Sequence, residues 1–348
     1  MPEADQKRDL TMKLLQLVRI LVVLGAGGEL LEAQMPPVVL RIDTGNFVRY
    51  DQETADWTKF GTSPGIVTLV PGHLPPFGSY IGLADVVSVN GKPVKGVRVF
   101  RGLNTNFAIN PIPKQAVADL SGTPYVDQLF VIQNLDGTVI GTIAVTGLQI
   151  TSPAPAASGL GGWASVVVGG SGAFLGVTGQ GCGVSGGGTP PGGSRITSVT
   201  EDPANRRING GGTTYSVFCL IPRTRPEVVT TAAGPAIVHS SDYSPITPAK
   251  PAKPGEILTL FAYGLGPTRP GVDPGQPFTA DPQQLVIAPV EVLVNGKSSE
   301  VLYAGGYPGA VDGYQVNFQV PNTTMPGMAS VQVTGAWIPG PEVRMLIQ

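Results

Sequence analysis

The chain has 348 residues, of which 48 are glycine and 34 are proline, whereas only 13% are charged. Glycine and proline cost about 1 and 3 kcal/mol inside a helix, so this composition argues against long helices and predicts a turn-rich β protein. A hydrophobic content of 42% excludes the composition typical of disordered chains, and a net charge of −2 provides no electrostatic footprint for nucleic acid.

Residues 1–33 are predicted to be a secretory signal peptide. Basic residues precede a short apolar run at 20–27, which is far below the roughly 20 residues that span a bilayer, and a suitable cleavage point follows Ala33. The acidic start is unusual for such a signal, so Met12 is an alternative to Met1 as the initiator. An ordinary N-terminal helix is the alternative to a signal. Export predicts a secreted, periplasmic or cell-surface protein without a transmembrane span.

Residues 34–222 contain short runs of β-forming residues separated by turns, which predicts a strand-rich domain. Asn90-Gly91 and Asp136-Gly137 each predict a tight hairpin turn, because both positions of such a turn need a positive φ. The glycine-rich stretch that begins at Gly169 does not fit a dinucleotide-binding loop, since no helix can start in the residues after it. The predicted strands are 38–42, 65–70, 80–89, 94–100, 129–133, 138–149, 163–168, 174–177, 195–200 and 214–221.

Residues 223–253 are rich in proline and are predicted to be a stiff, extended connector. Strand patterns resume over 254–348, and Asn295-Gly296 predicts a third hairpin turn. Several short strands over this length are typical of an immunoglobulin-like sandwich. The predicted strands of this part are 256–263, 290–294, 300–303, 314–320 and 329–334.

The side chains that could perform catalysis or bind a metal are few. The only histidines, His73 and His239, fall in different predicted domains and lie beside turn residues, where we expect them to be exposed. No nucleophile elbow is present, and we expect neither a metal nor a cofactor. Cys182 and Cys219 lack the spacing of zinc or redox motifs, which predicts a disulfide between strands in an oxidising compartment; two buried thiols are the alternative.

The stretch from Trp163 to Gly181 resembles the signature of the allene oxide cyclase and dirigent barrel superfamily, in which a strand leads into a glycine-rich turn. The hairpin around Asp136-Gly137 and the strand at 215–220 resemble the same family. For about 38–221 this resemblance implies an eight-stranded antiparallel barrel with a central cavity, in which family enzymes shape a reactive substrate with a few acids and an Arg or Asn. The candidate residues in predicted strands are Asp85, Arg98, Arg101 and Asp127.

None of these four candidates lies in a matching catalytic motif. Polar residues that alternate along a strand also face solvent, and this is the alternative interpretation of all four.

The segment from Pro254 to Pro267 resembles the opening of the Solibacter-type C-terminal domain found on many secreted Acidobacteria proteins. Motifs at 294–297, 300–305 and 313–321 follow in the family's order. The resemblance covers 235–348 and implies an immunoglobulin/TIG-type sandwich without known catalytic residues. The stretch 337–340 departs from the family's short hairpin, which leaves the last strand open.

These observations predict an all-β protein, with an N-terminal antiparallel β-barrel followed by an immunoglobulin-like sandwich. The favoured hypothesis is a secreted, non-catalytic protein that binds a small apolar ligand or a cell-surface component, with the sandwich as spacer or anchor. One alternative is a dirigent- or cyclase-like enzyme, which a purely apolar or plugged barrel interior would exclude and which two or more acids with an arginine deep in the barrel would favour. The other is a glycan-binding module that uses exposed Trp57, Trp163 or Trp337.

Overall fold

The computed structural model describes residues 36–53, 77–105, 125–149, 163–185, 195–197 and 212–348. The predicted signal peptide, Trp57, His73 and the predicted strand at 65–70 lie outside the described residues. The described part of the chain is all-β, with a closed β-barrel followed by a β-sandwich, which confirms the predicted fold class. None of the described residues forms a helix that is long and apolar enough to cross a membrane.

The barrel sheet closes on itself. Its strands are β1 (Val38–Glu53), β2 (Phe77–Val89), β3 (Lys92–Pro93), β4 (Lys95–Thr105), β5 (Tyr125–Gln133), β6 (Val139–Gln149), β7 (Trp163–Gly172), β8 (Thr178–Ser185), β9 (Arg195–Thr197) and β10 (Gly212–Ile221). Eight strands form the circle β1-β2-β4-β5-β6-β7-β8-β10, and β10 pairs with β1 to complete it. Neighbours in this circle are antiparallel, whereas the short β9 runs parallel to β1.

Side chains alternate between the interior and the outside of the barrel, as the period of two along a strand requires. On β5, for example, Val126, Gln128, Phe130 and Ile132 are buried, and the residues between them are more exposed. Full burial of a large apolar side chain contributes about 1.5–3 kcal/mol, so these inward positions supply most of the barrel's stability.

The two ends of the barrel differ in how their strands are joined. At one end, which we call the closed end, Asn90-Gly91, residues 134–138 and residues 173–177 make short turns. At the opposite end, which we call the loop end, the strands are joined by the longer segments 54–76, 106–124, 150–162 and 186–211, the last of which contains β9.

Two of the three predicted hairpin turns have a left-handed backbone at both central residues. Asn90 and Gly91 have φ angles of 48° and 77°, and Asn295 and Gly296 have φ angles of 49° and 72°. These values fit the type I′ turn. In the longer turn around Asp136, only Gly137 has a positive φ, of 90°.

The predicted strand at 174–177 is wrong, because these residues belong to a turn at the closed end. β7 ends at Gly172, whose φ is +63° and where a Cβ atom would lie 2.5 Å from the Ile140 carbonyl oxygen. Only glycine fits this position, and the chain reverses there instead of extending. The turn carries Phe174 into the closed end, where its side chain is 1% exposed.

The sandwich is a curled sheet whose faces enclose a second core. Its strands are β11 (Glu227–Val228), β14 (Ile237–His239), β15 (Ile257–Tyr263), β16 (Thr268–Arg269), β17 (Leu285–Val286), β18 (Val290–Val294), β19 (Lys297–Gly306), β20 (Gly313–Gln319), β21 (Gly327–Gly335), β22 (Ile338–Pro339) and β23 (Val343–Ile347). Between β11 and β14, the short strands β12 (Thr230–Thr231) and β13 (Gly234–Pro235) pair with each other as a separate hairpin. The strand β19 pairs with β18 through Ser299 and with β20 from Glu300 onward, so it passes from one layer to the other. The core between the layers includes Leu258, Leu260 and Phe318.

The proline-rich segment 223–253 does more than join the two parts of the chain. Both β11 and β14 pair with β15 in the sandwich sheet, and Val228 and Ile237 are 1% and 2% exposed. Further along, Ala252 forms a parallel bridge with Ile347. The segment therefore supplies edge strands and core side chains to the sandwich, and residues 38–348 form one compact unit.

The last part of the chain, which the sequence pattern left open, also forms strands of the sandwich. Residues 336–337 form the turn between β21 and β22, and β23 follows as a regular strand that pairs with β21.

Candidate functional site

A layer of buried polar side chains crosses the barrel interior between two apolar layers. Towards the closed end lies the main barrel core, and towards the loop end lies a smaller cluster that contains Phe47, Phe100 and Val126. Apolar layers need no specific partners, whereas buried polar groups are held by hydrogen bonds, so the polar layer is the chemically specific part of the interior. Its members, all at most 9% exposed, are Thr44, Arg98, Gln128, Thr214 and Ser216.

Arg98 is the charged member of this layer and is 2% exposed. Its Nε and Nη2 atoms donate to Gln128 Oε1 at 3.0 and 2.7 Å, and its Nη1 atom donates to Thr214 Oγ1 at 3.2 Å. Thr214 Oγ1 lies 2.6 Å from Thr44 Oγ1. Side chains from β4, β5, β10 and β1 therefore fix the orientation of the guanidinium.

Three phenylalanine rings lie around the same guanidinium. Arg98 Cζ is 5.0 Å from the centroid of the Phe100 ring, 5.4 Å from that of Phe130 and 6.0 Å from that of Phe47. Phe47 and Phe100 are stacked, with centroids 5.2 Å apart. A desolvated cation near an aromatic face gains about 2 kcal/mol, and arginine suits such a place because its guanidinium is more weakly hydrated than an ammonium group.

The other three candidate residues face outward. Arg101 and Asp127 lie opposite each other on β4 and β5, and Arg101 Nε donates to Asp127 Oδ2 at 3.2 Å. Thr146 Oγ1 donates to Asp127 Oδ1 at 2.7 Å, and this bond, together with the one from Arg101, holds the pKa of Asp127 below its usual value. Asp85 accepts a hydrogen bond from a neighbouring asparagine on the exposed surface. The structure thus brings one of the four candidates into the interior.

Acids are missing from the described interior. Among the residues that the structure describes, the buried polar and charged side chains include no aspartate or glutamate. These residues also contain no group of three or more His, Cys, Asp or Glu side chains that could hold a metal ion. The charged side chain that the described residues place in the barrel interior is Arg98.

The sandwich covers the closed end of the barrel. Its residues Ala288, Ala336, Trp337 and Ile338 pack in the same hydrophobic cluster as the barrel core, which includes Phe174. Trp337 lies in the turn before β22 with a φ of 63° and is 9% exposed, and its Nε1 atom has no hydrogen-bond partner among the described residues. The expectation that Trp337 is exposed for glycan binding is therefore wrong; the side chain of Trp163 lies outside the description.

Polar contacts also join the closed-end turns to the sandwich. Asn134 Nδ2 donates to the Ile287 carbonyl oxygen at 2.8 Å, and Arg269 Nη1 donates to Thr138 Oγ1 at 2.8 Å. Lys92, beside the Asn90-Gly91 turn, forms an ion pair with a sandwich glutamate. The two parts of the chain therefore meet through a specific interface at this end.

A cleft of about 480 Å³ lies beside that interface, between residues 172–175 and the sandwich loops at 264–278. Its described lining includes the carboxylates of Asp273 and Asp312. A calcium ion takes six to eight oxygen ligands, so these two acids do not by themselves form a metal site.

His239 is buried, at 2% exposed, so the expectation that it is exposed is wrong. The pairing of β14 with β15 carries it into the sandwich. Its Nδ1 atom lies 2.6 Å from Glu256 Oε1, and its Nε2 atom lies 3.2 Å from the Lys250 carbonyl oxygen. Both ring nitrogens are engaged within the fold, which indicates a structural role.

The two cysteines lie on neighbouring strands of the barrel. Cys219 on β10 is paired with Gln180 on β8, and Cys182 falls at the irregularity in the same strand pair. This adjacency suits a bond between strands, but the side chain of Cys182 lies outside the description. The Cys182–Cys219 disulfide therefore stays a prediction.

Gln128, Thr44 and Thr214 were not among the sequence-based candidates. The available signal was strand parity, because Gln128 lies two residues before the apolar Phe130 and therefore points to the same face. Parity alone does not show that Gln128 meets Arg98. That contact depends on the register between β4 and β5, in which Arg98 is opposite Phe130.

Comparison with protein-family profiles and with curated proteins finds no match for this chain. Among solved structures, the chain is similar to the N-terminal domain of a Streptococcus gordonii adhesin, with 12% identity over 82% of this chain and 80% of that one. The TM-score is 0.17, which is too low for the likeness to bear on fold or function.

Proposed function

We propose that the barrel binds a small, mostly apolar molecule through an anionic group on that molecule, without catalysis. The observation that carries this proposal is Arg98, a guanidinium that is 2% exposed inside the barrel and held in a fixed orientation among phenylalanine rings. Arginine is suited to recognising carboxylate and phosphate groups, because its guanidinium stays charged and carries several N–H donors. Charge interactions are also stronger in an interior of low polarity than in water.

The surroundings of Arg98 favour an apolar body for the ligand. By their strand positions, Phe47 and Phe100 lie on the side of Arg98 that faces the loop end, and Val126 belongs to the same cluster. Ligand sites typically combine such apolar lining with a few fixed polar groups that set orientation. A molecule with an apolar tail and an anionic head satisfies both parts.

The ligand approaches from the loop end, since the other route is blocked. At the closed end, Phe174 and Trp337 belong to one hydrophobic cluster, in which they are 1% and 9% exposed. In this proposal the sandwich supports the barrel at its closed end, and the loop end points away from the interface between the two parts of the chain.

We favour non-catalytic binding over dirigent- or cyclase-like catalysis because Arg98 and its hydrogen-bonded neighbours form a fixed polar layer that can orient a ligand. Proton transfer in such an enzyme needs a positioned acid or base near the reacting atoms. The described polar layer offers amide and hydroxyl groups beside Arg98.

The binding proposal is tested with two probes that differ in their head group, dodecanoate and 1-dodecanol, titrated by calorimetry into the full chain. We expect dodecanoate to bind at least tenfold more tightly than dodecanol. Arg98→Met should remove this preference, whereas Arg101→Met, at the exposed arginine on the same strand, should retain it. Circular dichroism checks that each variant is folded, and Arg98→Lys keeps the charge if the methionine variant does not fold.

Equal affinity for the two probes, or no binding of either, contradicts the proposal. Retention of the preference in folded Arg98→Met would place the anion site elsewhere.

We further propose that the protein is exported, secreted or held at the cell surface, as its N-terminal pattern and paired cysteines predict. The placement of Cys182 and Cys219 on adjacent strands supports this. The test is mass spectrometry of the protein expressed in a bacterium with its N-terminus intact. We expect a chain cleaved after Ala33 in the periplasm or medium and a peptide pair linked through the two cysteines. A full-length intracellular chain with alkylatable thiols contradicts this proposal.

A further inference from the structure

The outer face of the sandwich sheet carries a row of amide side chains on β20. Gln315, Asn317 and Gln319 are half-buried and alternate with core residues, so they point to the face opposite the core. On the neighbouring strands, Thr259 of β15 and Tyr303 of β19 both pair with Asn317. A polar, partly buried sheet face of this kind differs from an ordinary solvated strand surface, which carries charges.

A directed chain of hydrogen bonds fixes the amides. Ser240 Oγ lies 2.8 Å from Thr259 Oγ1, Thr259 Oγ1 donates to Asn317 Oδ1 at 3.0 Å, and Gln315 Nε2 donates to the same oxygen at 3.0 Å. Asn317 Oδ1 thus accepts two bonds, which turns its NH₂ group to the other side. Gln315 uses its NH₂ group and retains its carbonyl oxygen as an acceptor. The pair therefore offers one donor and one acceptor close together.

These amides line a pocket of about 250 Å³, which also contains Thr279, Gln283, Tyr303 and Pro308. The described lining holds no charged side chain. Burial raises the pKa of Tyr303, so its phenol stays protonated and can donate. The Tyr303 hydroxyl lies over Gly305. A Cβ atom on residue 305 would come within 2.4 Å of this hydroxyl, so glycine leaves the room that the tyrosine needs.

The opposite wall of the pocket is also fixed. The backbone N–H of Thr279 donates to Gln284 Oε1 at 2.9 Å, and Gln284 Nε2 donates back to Thr279 Oγ1. Gln284 is 3% exposed, so this loop is anchored from beneath. Site groups held in this way lose little entropy when a ligand binds.

The chemistry of the pocket selects among ligand classes. A charged ligand finds no countercharge in the described lining, and an apolar ligand would leave the amides without partners, which costs about 1–3 kcal/mol for each group. Neighbouring hydroxyl groups, each both donor and acceptor, match the Asn317 donor and the Gln315 acceptor. The volume is below the roughly 300–1,000 Å³ of drug-sized ligand sites, which suits one ring.

An aromatic rim continues from the pocket. Tyr307, next to Pro308 in the chain, is 44% exposed and meets Phe261 edge to face with ring centroids 5.3 Å apart. Exposed aromatic rings give contact area to the apolar faces of sugar rings, since these faces carry only C–H groups.

We propose that this pocket binds a neutral sugar residue, with Asn317 and Gln315 hydrogen-bonded to adjacent hydroxyl groups and the Tyr307 rim in contact with a second ring. The site is separate from the barrel, and the inference does not rest on the function proposed for Arg98.

The test is an array of immobilised neutral and acidic oligosaccharides, probed with the full chain. We expect binding to at least one neutral oligosaccharide, and a loss of tenfold or more in affinity for Gln315→Leu and for Tyr303→Phe. The matched control is Gln319→Leu, which lies on the same strand and face but bonds to the Gly255 carbonyl oxygen outside the pocket. This control should bind as the unmodified chain does.

Melting temperatures show whether each variant is folded, and Tyr303→Phe retains the ring if Gln315→Leu does not fold. Absence of binding to every neutral oligosaccharide, binding to acidic ones only, or binding unchanged in folded Gln315→Leu and Tyr303→Phe would overturn the proposal. Because Arg98 is not changed in these variants, their outcome is distinct from that of the dodecanoate experiment.

Discussion

The closed end and the loop end of the barrel are built from the same eight strands but serve different purposes. At the closed end, short turns and Phe174 meet Ala288 and Trp337 of the sandwich in one apolar cluster. Between the ends, Arg98 and its polar neighbours replace apolar packing. We infer that stability is concentrated where the two parts of the chain meet. Chemical specificity lies in the polar layer, on the side of the core that faces the loop end.

The largest expected effect comes from removal of the tryptophan at the closed end. Trp337→Ala should lower the free energy of unfolding by about 3–5 kcal/mol, because a large buried ring leaves a cavity in the shared cluster. The positive φ at position 337 is equally unfavourable for tryptophan and for alanine, so it does not contribute to the difference in stability between the two chains. Urea unfolding followed by circular dichroism measures the change.

The control for this prediction is Trp337→Phe, which retains a ring and removes the Nε1 atom that has no partner among the described residues. Its loss should be smaller than that of the alanine variant. A loss below about 1 kcal/mol for Trp337→Ala would mean that the sandwich does not stabilise the closed end.

The second effect concerns the polar layer. Gln128→Leu removes the acceptor that Arg98 uses at 2.7 Å and should cost about 1–3 kcal/mol, because it disrupts a buried polar network. The double variant Arg98→Met/Gln128→Leu should recover most of this loss, since apolar side chains of similar volume replace a buried charge at little or no cost. Urea midpoints of the single and double variants check the order; a double variant less stable than Gln128→Leu contradicts it.

A smaller effect is expected at the rim of the interface. Lys92→Ala removes the ion pair with Glu291, but the lysine side chain is 54% exposed, so the loss should stay below about 1 kcal/mol. It should shrink further in 1 M salt, which screens exposed charges. Lys95→Ala, at another exposed lysine of the barrel, serves as the control. A loss as large as that of Trp337→Ala would show that charge, not apolar packing, holds the closed end.

The smallest effect depends on pH and lies on the outer wall. The pKa of Asp127 is lowered in the folded state by Thr146 and Arg101, so its contribution to stability is present above the ordinary pKa of about 4 and is lost as the pH falls through the folded value. The side chain is 36% exposed, so Asp127→Asn should cost a few tenths of a kcal/mol at pH 7 and almost nothing near pH 2. Urea midpoints at the two pH values test this; equal losses at both contradict it.

Much of the fold could be predicted from the sequence, because its signals are local. The turns at Asn90-Gly91 and Asn295-Gly296 have the expected left-handed backbone, and alternation marked most of the described strands. The miss at 174–177 has a physical cause. An apolar run resembles a strand, but the positive φ of Gly172 turns the chain and the core takes up Phe174.

Less of the site could be predicted. Arg98 was a candidate because it lies in a predicted strand. Alternation along the strand places Asp127 on the face opposite the apolar Phe130, so the sequence could also have identified Asp127 as outward-facing. The contact between Arg98 and Gln128, and the cover that Trp337 places on the barrel, both depend on long-range packing. Patterns of neighbouring residues in the sequence do not reveal such long-range contacts.

The position of Trp337 in the sequence also determines when the hydrophobic cluster at the closed end can be completed during synthesis of the chain. The last barrel strand ends at Ile221, yet the cluster at the closed end is complete only when Trp337 is available, much later in the sequence. Domains that depend only on their own residues can fold as synthesis proceeds. We therefore expect the apolar closed end of the barrel to stay uncovered during synthesis until Trp337 and its neighbours in the sandwich have been made.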